Sequence, residues 1–323
     1  MIVVTGGAGF IGSAIVWRLN QMGSDNIIIV DNLGESEKWK NLVGLKYADF
    51  YHKEEFIELI KEERIPFQIK AVLHLGACSS TTEGDADYLM YNNFKYTQNL
   101  AAYCLEKDSR FIYASSAATY GDGTNGYLDD EEKLDQLKPL NMYGYSKHFF
   151  DLWAKREEIL DEIVGIKYFN VFGPNEYHKG DMRSVIHKAY GQIKESGKVK
   201  LFKSYNDMFD DGKQMRDFIY VKDAVDMTLH FLENNDGGLY NVGTGKARTW
   251  VDLVTSIFNA MDLDPNIEFI DMPENLRGKY QYFTEANIDK IKSVGCDKEI
   301  TSLEDGVSDY VKEYLMKGKG LTS

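Results

Sequence analysis

The stretch NMYGYSK, Asn141 to Lys147, sets two tyrosines beside one lysine. On a helix, residues four apart share a face and residues two apart do not, so Tyr143 can meet Lys147 and Tyr145 cannot. A phenol with an ordinary pKa of about 10 is a poor base at neutral pH. A neighbouring ammonium favours the phenolate, which makes Tyr143 the candidate acid/base and Lys147 its tuning partner. Upstream, YASSAATYG closes a predicted strand, where the Ser116 hydroxyl can hydrogen-bond a substrate hydroxyl and the carbonyl oxygen that replaces it. Small residues at a strand end also serve plain turns, and Tyr/Lys pairs one turn apart arise by chance. The weight of the set depends on what surrounds it.

Oxidising an alcohol requires somewhere for hydride to go. TGGAGFIG spaces Gly6, Gly9 and Gly12 three apart between a predicted strand and a predicted helix. Glycines there allow a tight turn, close approach of backbone to a pyrophosphate, and close helix packing, while the helix N-terminus presents N–H groups to the anion. Asp31 lies at the end of the next strand, where an acid commonly holds adenosine ribose hydroxyls and favours NAD. Asn32 follows at once, and Lys38 and Lys53 either bring compensating charge or are ordinary surface lysines. The Tyr/Lys pair downstream of this fingerprint points to nicotinamide-dependent alcohol chemistry.

The elements that position these residues are read from periodicity. Apolar runs at Met1–Thr5, Ile27–Val30, Ala71–Leu75, Arg110–Ser115 and Ile163–Phe169 alternate with helical stretches at Phe10–Met22 and near 54–63, 85–105 and 144–160. This predicts an α/β fold, a Rossmann-type doubly wound parallel sheet with helices on both faces. After Asn170 the pattern loosens: VFGPNEYHKGDM and KSYNDMFDDGKQMRD read as loops, with a strand and helix over Asp217–Leu232 and a strand at Gly238–Val242. A second, smaller mixed α/β substrate domain is expected from 169–215 and 243–323, against 1–168 and 216–242 for the dinucleotide part.

Composition bounds the partners. A formal charge of -14 and a pI near 5.0 disfavour nucleic acid and anionic membrane surfaces, so any phosphate site must be locally basic. With no apolar run of about 20 residues, and with MIVVTGG lacking a basic leader, a cytoplasmic protein is expected. The 3 cysteines, Cys78, Cys104 and Cys296, have no CxxC spacing and no clustered histidines, so reduced thiols and no metal site are expected.

Together, TGGAGFIG, SSAATYG and YGYSK resemble the extended short-chain dehydrogenase/reductases that act on nucleotide sugars. DNLGESEKWKNLV, HLGACSSTTE, YFNVFGPNEYHKG, MRDFIYVKD and RGKYQYFT are similar, more narrowly, to the ADP-L-glycero-D-manno-heptose 6-epimerases of bacterial lipopolysaccharide core synthesis. The resemblance implies an isomerase in which bound NADP takes hydride from C6 of an ADP-heptose, the ketone turns, and hydride returns to the other face. It also implies a second acid/base, Lys179 of the HKG segment, which residue type alone leaves open as a phosphate-binding loop cation. A lysine serves in that role only if burial or nearby positive charge lowers its pKa.

By the same resemblance the cofactor positions are Phe10, Ile11, Asp31, Asn32, Lys38, Lys53, the run Leu75, Gly76, Ala77, Cys78 and Ser79, then Asn92, Lys147, Val171 and Lys179. NADP is favoured, with NAD possible. Substrate positions fall on Ser116, Asn170, Asp181, Lys188, Phe202, Lys203, Ser204, Arg216 and Tyr280, and a homo-oligomer, a pentamer, is suggested. Asp181 replaces a small hydroxyl residue of the family, and His187 competes with Lys188 for one position. Dehydration is disfavoured because Ala117 and Ala118 stand where dehydratases carry Asp and Glu. A sugar 4-epimerase and a non-catalytic dinucleotide sensor are the competing readings, the second opposed by the intact Tyr143 and Lys147.

Overall fold

A computed structural model of the chain describes residues 1–277 and 280–322; Gly278 and Lys279, within RGKYQYFT, lie outside that set. Strand β1 (Ile2–Thr5) enters helix α1 (Phe10–Gln21), and β2 (Ile27–Asp31) is followed by β3 (Asp49–His52) and α2 (Lys53–Lys61). β4 (Ala71–His74) leads into α3 (Ala86–Leu89) and α4 (Tyr96–Glu106), joined by a π-helical turn at Met90–Lys95. Next come β5 (Arg110–Ala114), α5 (Met142–Arg156), β6 (Val164–Tyr168), β7 (Asn170–Phe172), α6 (Val185–Ser196) and β8 (Val199–Phe202). β9 (Met215–Tyr220), α7 (Val221–His230), β10 (Gly238–Val242), β11 (Ala247–Thr249), α8 (Trp250–Ala260) and β12 (Ile267–Ile270) follow.

Seven strands form one sheet in the order β10-β6-β5-β4-β1-β2-β3, with every pairing parallel. Because side chains alternate along a strand, Val3, Ile28, Val72 and Phe111 join one apolar cluster while Val4, Ile29, Leu73 and Ile112 join another on the opposite face. Both faces are covered, as a parallel sheet requires, and each such residue contributes about 1.5–3 kcal/mol by leaving water. The strand order reverses between β1 and β4. Their following loops diverge there, opening a crevice at the carboxyl ends, the usual ligand position in such sheets.

The rest of the chain builds two smaller sheets. β9 lies between β11 (antiparallel) and β7 (parallel), and β12 pairs with β8 in parallel. Buried Asp217 fastens β9 to its surroundings by accepting from the N–H groups of Thr244, Gly245 and Ala286 and from the Thr244 hydroxyl. Two differences from the sequence expectation have local causes. Strand β3 was not anticipated, because at the sheet edge DFYH has no buried residue to give it a period. VFGPNEYHKGDM, expected as a loop, contains the last two residues of β7 and a 3-10 helical turn at Tyr177–Met182. Among the described residues no helix is long and apolar enough to cross a membrane.

Candidate active site

The crevice is a cavity of about 660 Å³. Its floor is the TGGAGFIG turn. Gly6 has φ +67, and a Cβ on Gly12 would stand 2.1 Å from the Gly6 carbonyl oxygen, so both positions require glycine. Helix α1 has Gly9 at its N-cap and so no capping side chain, and Gly9, Phe10, Ile11 and Gly12 all line the cavity. First-turn N–H groups and the positive end of the helix dipole are thereby left for an anion.

One wall carries the expected acid/base set. Asn141 caps α5, and the helix places Tyr143 and Lys147 one turn apart beside Ser116, all three lining the cavity, while Tyr145 is 45% exposed on another side. Burial pushes the Tyr143 phenol up, and a hydrogen bond with the Ser116 hydroxyl opposes that. The expected lowering by Lys147 is not what this geometry provides. The Lys147 ammonium donates to the Ala114 carbonyl at 2.8 Å, and burial pushes it down to about 8 against the pull of Asp151.

Lys179 reaches the same cavity from the 3-10 turn after β7, its ammonium 5.5 Å from the centre of the Phe10 ring. Burial lowers its pKa, and Glu176 opposes this. The adjacent His178 is pushed down to about 4 by burial, then by Lys38 and Lys179. At the end of the cavity beside β2, Lys38 donates to Asp31 at 2.5 Å, while Asp31 also accepts from the N–H groups of Ala8 and Asn32. Lys53 donates to Asn92 at 2.7 Å. The cavity lining thus holds four lysines, Lys38, Lys53, Lys147 and Lys179, and one carboxylate, Asp31, in a chain of net charge -14. A strongly acidic protein has made one locally basic hollow, sized and charged for a phosphate-bearing ligand.

Residues 2–243 match the NAD dependent epimerase/dehydratase family. The chain belongs to that family. It is 59% identical over 316 residues to an ADP-L-glycero-D-manno-heptose-6-epimerase of Nitratidesulfovibrio vulgaris, covering 98% of both chains. It is 53% identical over 328 residues to the enzyme of the same name from Fusobacterium nucleatum, again covering 98% of each. Among solved structures, the Helicobacter pylori ADP-L-glycero-D-manno-heptose-6-epimerase matches with a TM-score of 0.81 at 27% identity, covering 97% of this chain and 95% of that one. A UDP-N-acetylglucosamine 4-epimerase from Methanobrevibacter ruminantium gives 0.82 at 26% identity, covering 98% of each.

Every residue of this epimerase-family chain expected at the cofactor lines the one cavity, from Gly6, Gly9, Phe10, Ile11 and Gly12 to Leu75, Gly76, Ala77, Cys78, Ser79, Asn92, Val171 and Lys179. Of the expected substrate positions, Ser116 and Asn170 line it too. The others lie elsewhere. Lys188 borders a shallow depression beside Arg183 and His187. Asp181 is exposed, Lys203 pairs with Asp271 at 3.2 Å, and Ser204 accepts from Asn206 N–H while Phe202 ends β8. Arg216, expected to grip phosphates, is buried between the Trp250 and Tyr280 rings, and its guanidinium donates to the Met215 and Gln281 carbonyls.

Sequence reasoning missed several supports. Asn93, set by the π-helical turn, accepts from Cys78 N–H and donates to the Cys78 carbonyl and Ser146 hydroxyl, tying the 75–79 loop to α5. Asn41 donates to the carbonyls of Ala8 and Asn175 and meets the His178 ring, joining the glycine turn to the Lys179 segment. Asn93 beside Asn92 was the available signal; Asn41 offered none, because its partners lie far along the chain.

Proposed function

We propose that this chain is an ADP-heptose epimerase that interconverts the D-glycero-D-manno and L-glycero-D-manno forms at C6 in lipopolysaccharide core biosynthesis. The observation that carries the reading is the meeting of Tyr143 and Lys179 in one cavity from separate segments, α5 and the turn after β7. Inverting a secondary alcohol carbon calls for proton transfer on both of its faces. Dehydrogenation alone would call for one. A 4-epimerase is the runner-up, on the strength of the Methanobrevibacter ruminantium likeness.

The glycine turn, the open N-terminus of α1 and Lys147 would hold a nicotinamide dinucleotide, which when bound supplies the means for hydride to leave the sugar carbon and return. NADP is the better fit. The Asp31 carboxylate, which would repel a 2′-phosphate, already accepts from Lys38, Ala8 and Asn32, and Lys53 stands at the same end. In one direction Lys179, its amine depressed by burial, takes the hydroxyl proton while Ser116 steadies the oxygen. After the ketone turns, Tyr143 returns a proton to that oxygen on the other side. In the reverse direction the roles exchange.

Arg216, Tyr280 and the residues after β8 are assigned to the ADP portion, in a substrate part formed by 169–215 and 243–323. A cytoplasmic homo-oligomer, a pentamer by family resemblance, completes the reading, and sedimentation of the purified protein checks the assembly. The activity test is incubation with each ADP-heptose epimer separately, product identity being read by NMR. Approach to the same mixture from both sides is expected. Turnover of UDP-hexoses with no change in either heptose would replace the reading with the 4-epimerase.

A further inference from the structure

Behind the cavity wall lies an ion pair that the proposed chemistry does not use. Lys167 of β6 donates to Asp151 of α5 at 2.7 Å, and both side chains are 0% exposed. Two desolvated charges cost about several kcal/mol each before their attraction is counted, and well-packed apolar residues often do as well, so stability is a poor reason for their presence. Their other partners point to a different reason.

Asp151 accepts from the hydroxyls of Ser115 at 2.7 Å and Tyr113 at 2.9 Å. Lys167 also donates to the Thr119 hydroxyl at 2.8 Å, and that hydroxyl donates onward to the Ser116 carbonyl at 2.8 Å. One turn before Asp151, Lys147 donates to the Ala114 carbonyl at 2.8 Å. Three consecutive residues that line the cavity, Ala114, Ser115 and Ser116, are therefore gripped from α5 and β6, and the Ser116 hydroxyl, which accepts from the Ala118 N–H at 3.1 Å, lies beside Tyr143.

We propose that the buried Lys167–Asp151 pair, acting through Ser115 and Thr119, is a positioning element that aims the Ser116 hydroxyl at the reacting oxygen and holds Lys147 in place. It rests on the reading of Ser116, Tyr143 and Lys147 as groups that act on a sugar alcohol. The electrostatics run the same way. Around Lys147 are Asp151 on its own helix, which favours its ammonium, and Cys78 across the cavity, with the phenol of Tyr143 and buried His74 nearby. Around the pair itself are Tyr113, His148 and the Tyr120 ring, 5.1 Å from the Lys167 ammonium. Among the described residues Asp151 is the only carboxylate acting on Lys147, so neutralising it removes the main support of that charge.

Two sets of variants test this. Thr119→Val cuts the link from Lys167 to Ser116 and leaves the ion pair intact; kcat should fall about 10–100-fold with KM and NADPH affinity held, since a displacement of about 1 Å costs that much. Thr119→Ser should restore kcat to within about threefold of the parent. The double variant Asp151→Asn with Lys167→Met removes both charges. Its loss of activity and of NADPH affinity with rising pH should begin at a lower pH than in the parent, as Lys147 deprotonates earlier.

Wild-type kcat and an unmoved pH profile in folded Thr119→Val and double variants would overturn the inference. So would a Thr119→Val loss that Thr119→Ser fails to rescue. Should the double variant not fold, the two Thr119 variants decide alone. If the parent protein turns over no ADP-heptose, the proposed function fails first, and the pH dependence of NADPH affinity still tests the support of Lys147.

Discussion

Lys179→Met is the substitution on which the two-base reading turns. Methionine matches the stem of lysine and removes the ammonium, so the fold loses a cation–π contact with Phe10, about 0.5–1 kcal/mol, and is relieved of a buried charge. The two effects offset, and the melting temperature should stay within a few degrees of the parent. Catalysis should not survive as well. Positioned acid/base groups contribute about 10²–10⁴-fold, or roughly 3–5 kcal/mol of barrier, and epimerisation should fall by that amount. The sharper expectation concerns half-reactions. With Lys179 gone, Tyr143 remains, so one ADP-heptose epimer should still be oxidised while the other is not; Tyr143→Phe should show the opposite preference. The assay is a single-turnover mixing experiment with each epimer in turn, following reduced-nicotinamide absorbance and then product stereochemistry. Normal interconversion by Lys179→Met, or identical epimer preference in the two variants, would refute the assignment of one base to each face.

Gly12→Ala should abolish cofactor binding, because the new Cβ at 2.1 Å from the Gly6 oxygen forces the turn and α1 apart, at about 1–3 kcal/mol of stability; fluorescence titration with NADPH checks it, and parental affinity would refute it. Acid denaturation of the purified protein should release mainly NADP, given that Lys38 and Lys53 flank an already satisfied Asp31, and release of NAD alone would overturn that. His178 has its pKa depressed from 6.5 to about 4, so it contributes stability above its unfolded value that is lost as pH falls from about 6.5 toward 4. At about 1.4 kcal/mol per pH unit, discounted for a ring only partly buried, the effect is about 1–2 kcal/mol. His178→Gln should flatten the melting temperature over that interval relative to the parent, and an unchanged slope would count against it.

The parts legible in the sequence were those set by local repetition. The alternation of apolar runs and helical periods marked β1, β2, β4, β5, β6 and the helices between them, because a sheet covered on both faces imposes apolar residues along whole strands. The glycine turn and the Tyr143/Lys147 spacing were readable for the same reason, since each is a short-range geometric demand. What stayed hidden depends on contacts between distant segments. β7 and β9 pair across a long intervening stretch, and β3 carries no hydrophobic period. The residue type of Arg216 suggested a phosphate ligand but did not disclose that two of its donors are taken by the Met215 and Gln281 carbonyls. Asn41, Asn93 and the Lys167–Asp151 pair are polar residues whose meaning lies in partners up to 137 positions away.

Burial links the two proposed proton-transfer groups in a way that bears on turnover. It raises the phenol of Tyr143 and lowers the amine of Lys179, so it works against the charged form of each. In the proposed reaction a forward passage begins with neutral amine and neutral phenol and ends with ammonium and phenolate, because the proton taken on one face is returned from the other. The enzyme released from product is then in a different protonation state from the enzyme that bound substrate. A second passage in the same direction requires a proton to pass from Lys179 back to Tyr143, directly or through water. The neutral pair is the one the low-dielectric wall prefers, so this reset runs downhill, whereas two solvent-exposed groups would gain nothing from it. In the proposed reaction, partial burial of Lys179 therefore does more than make it a base: it restores the starting state after each inversion.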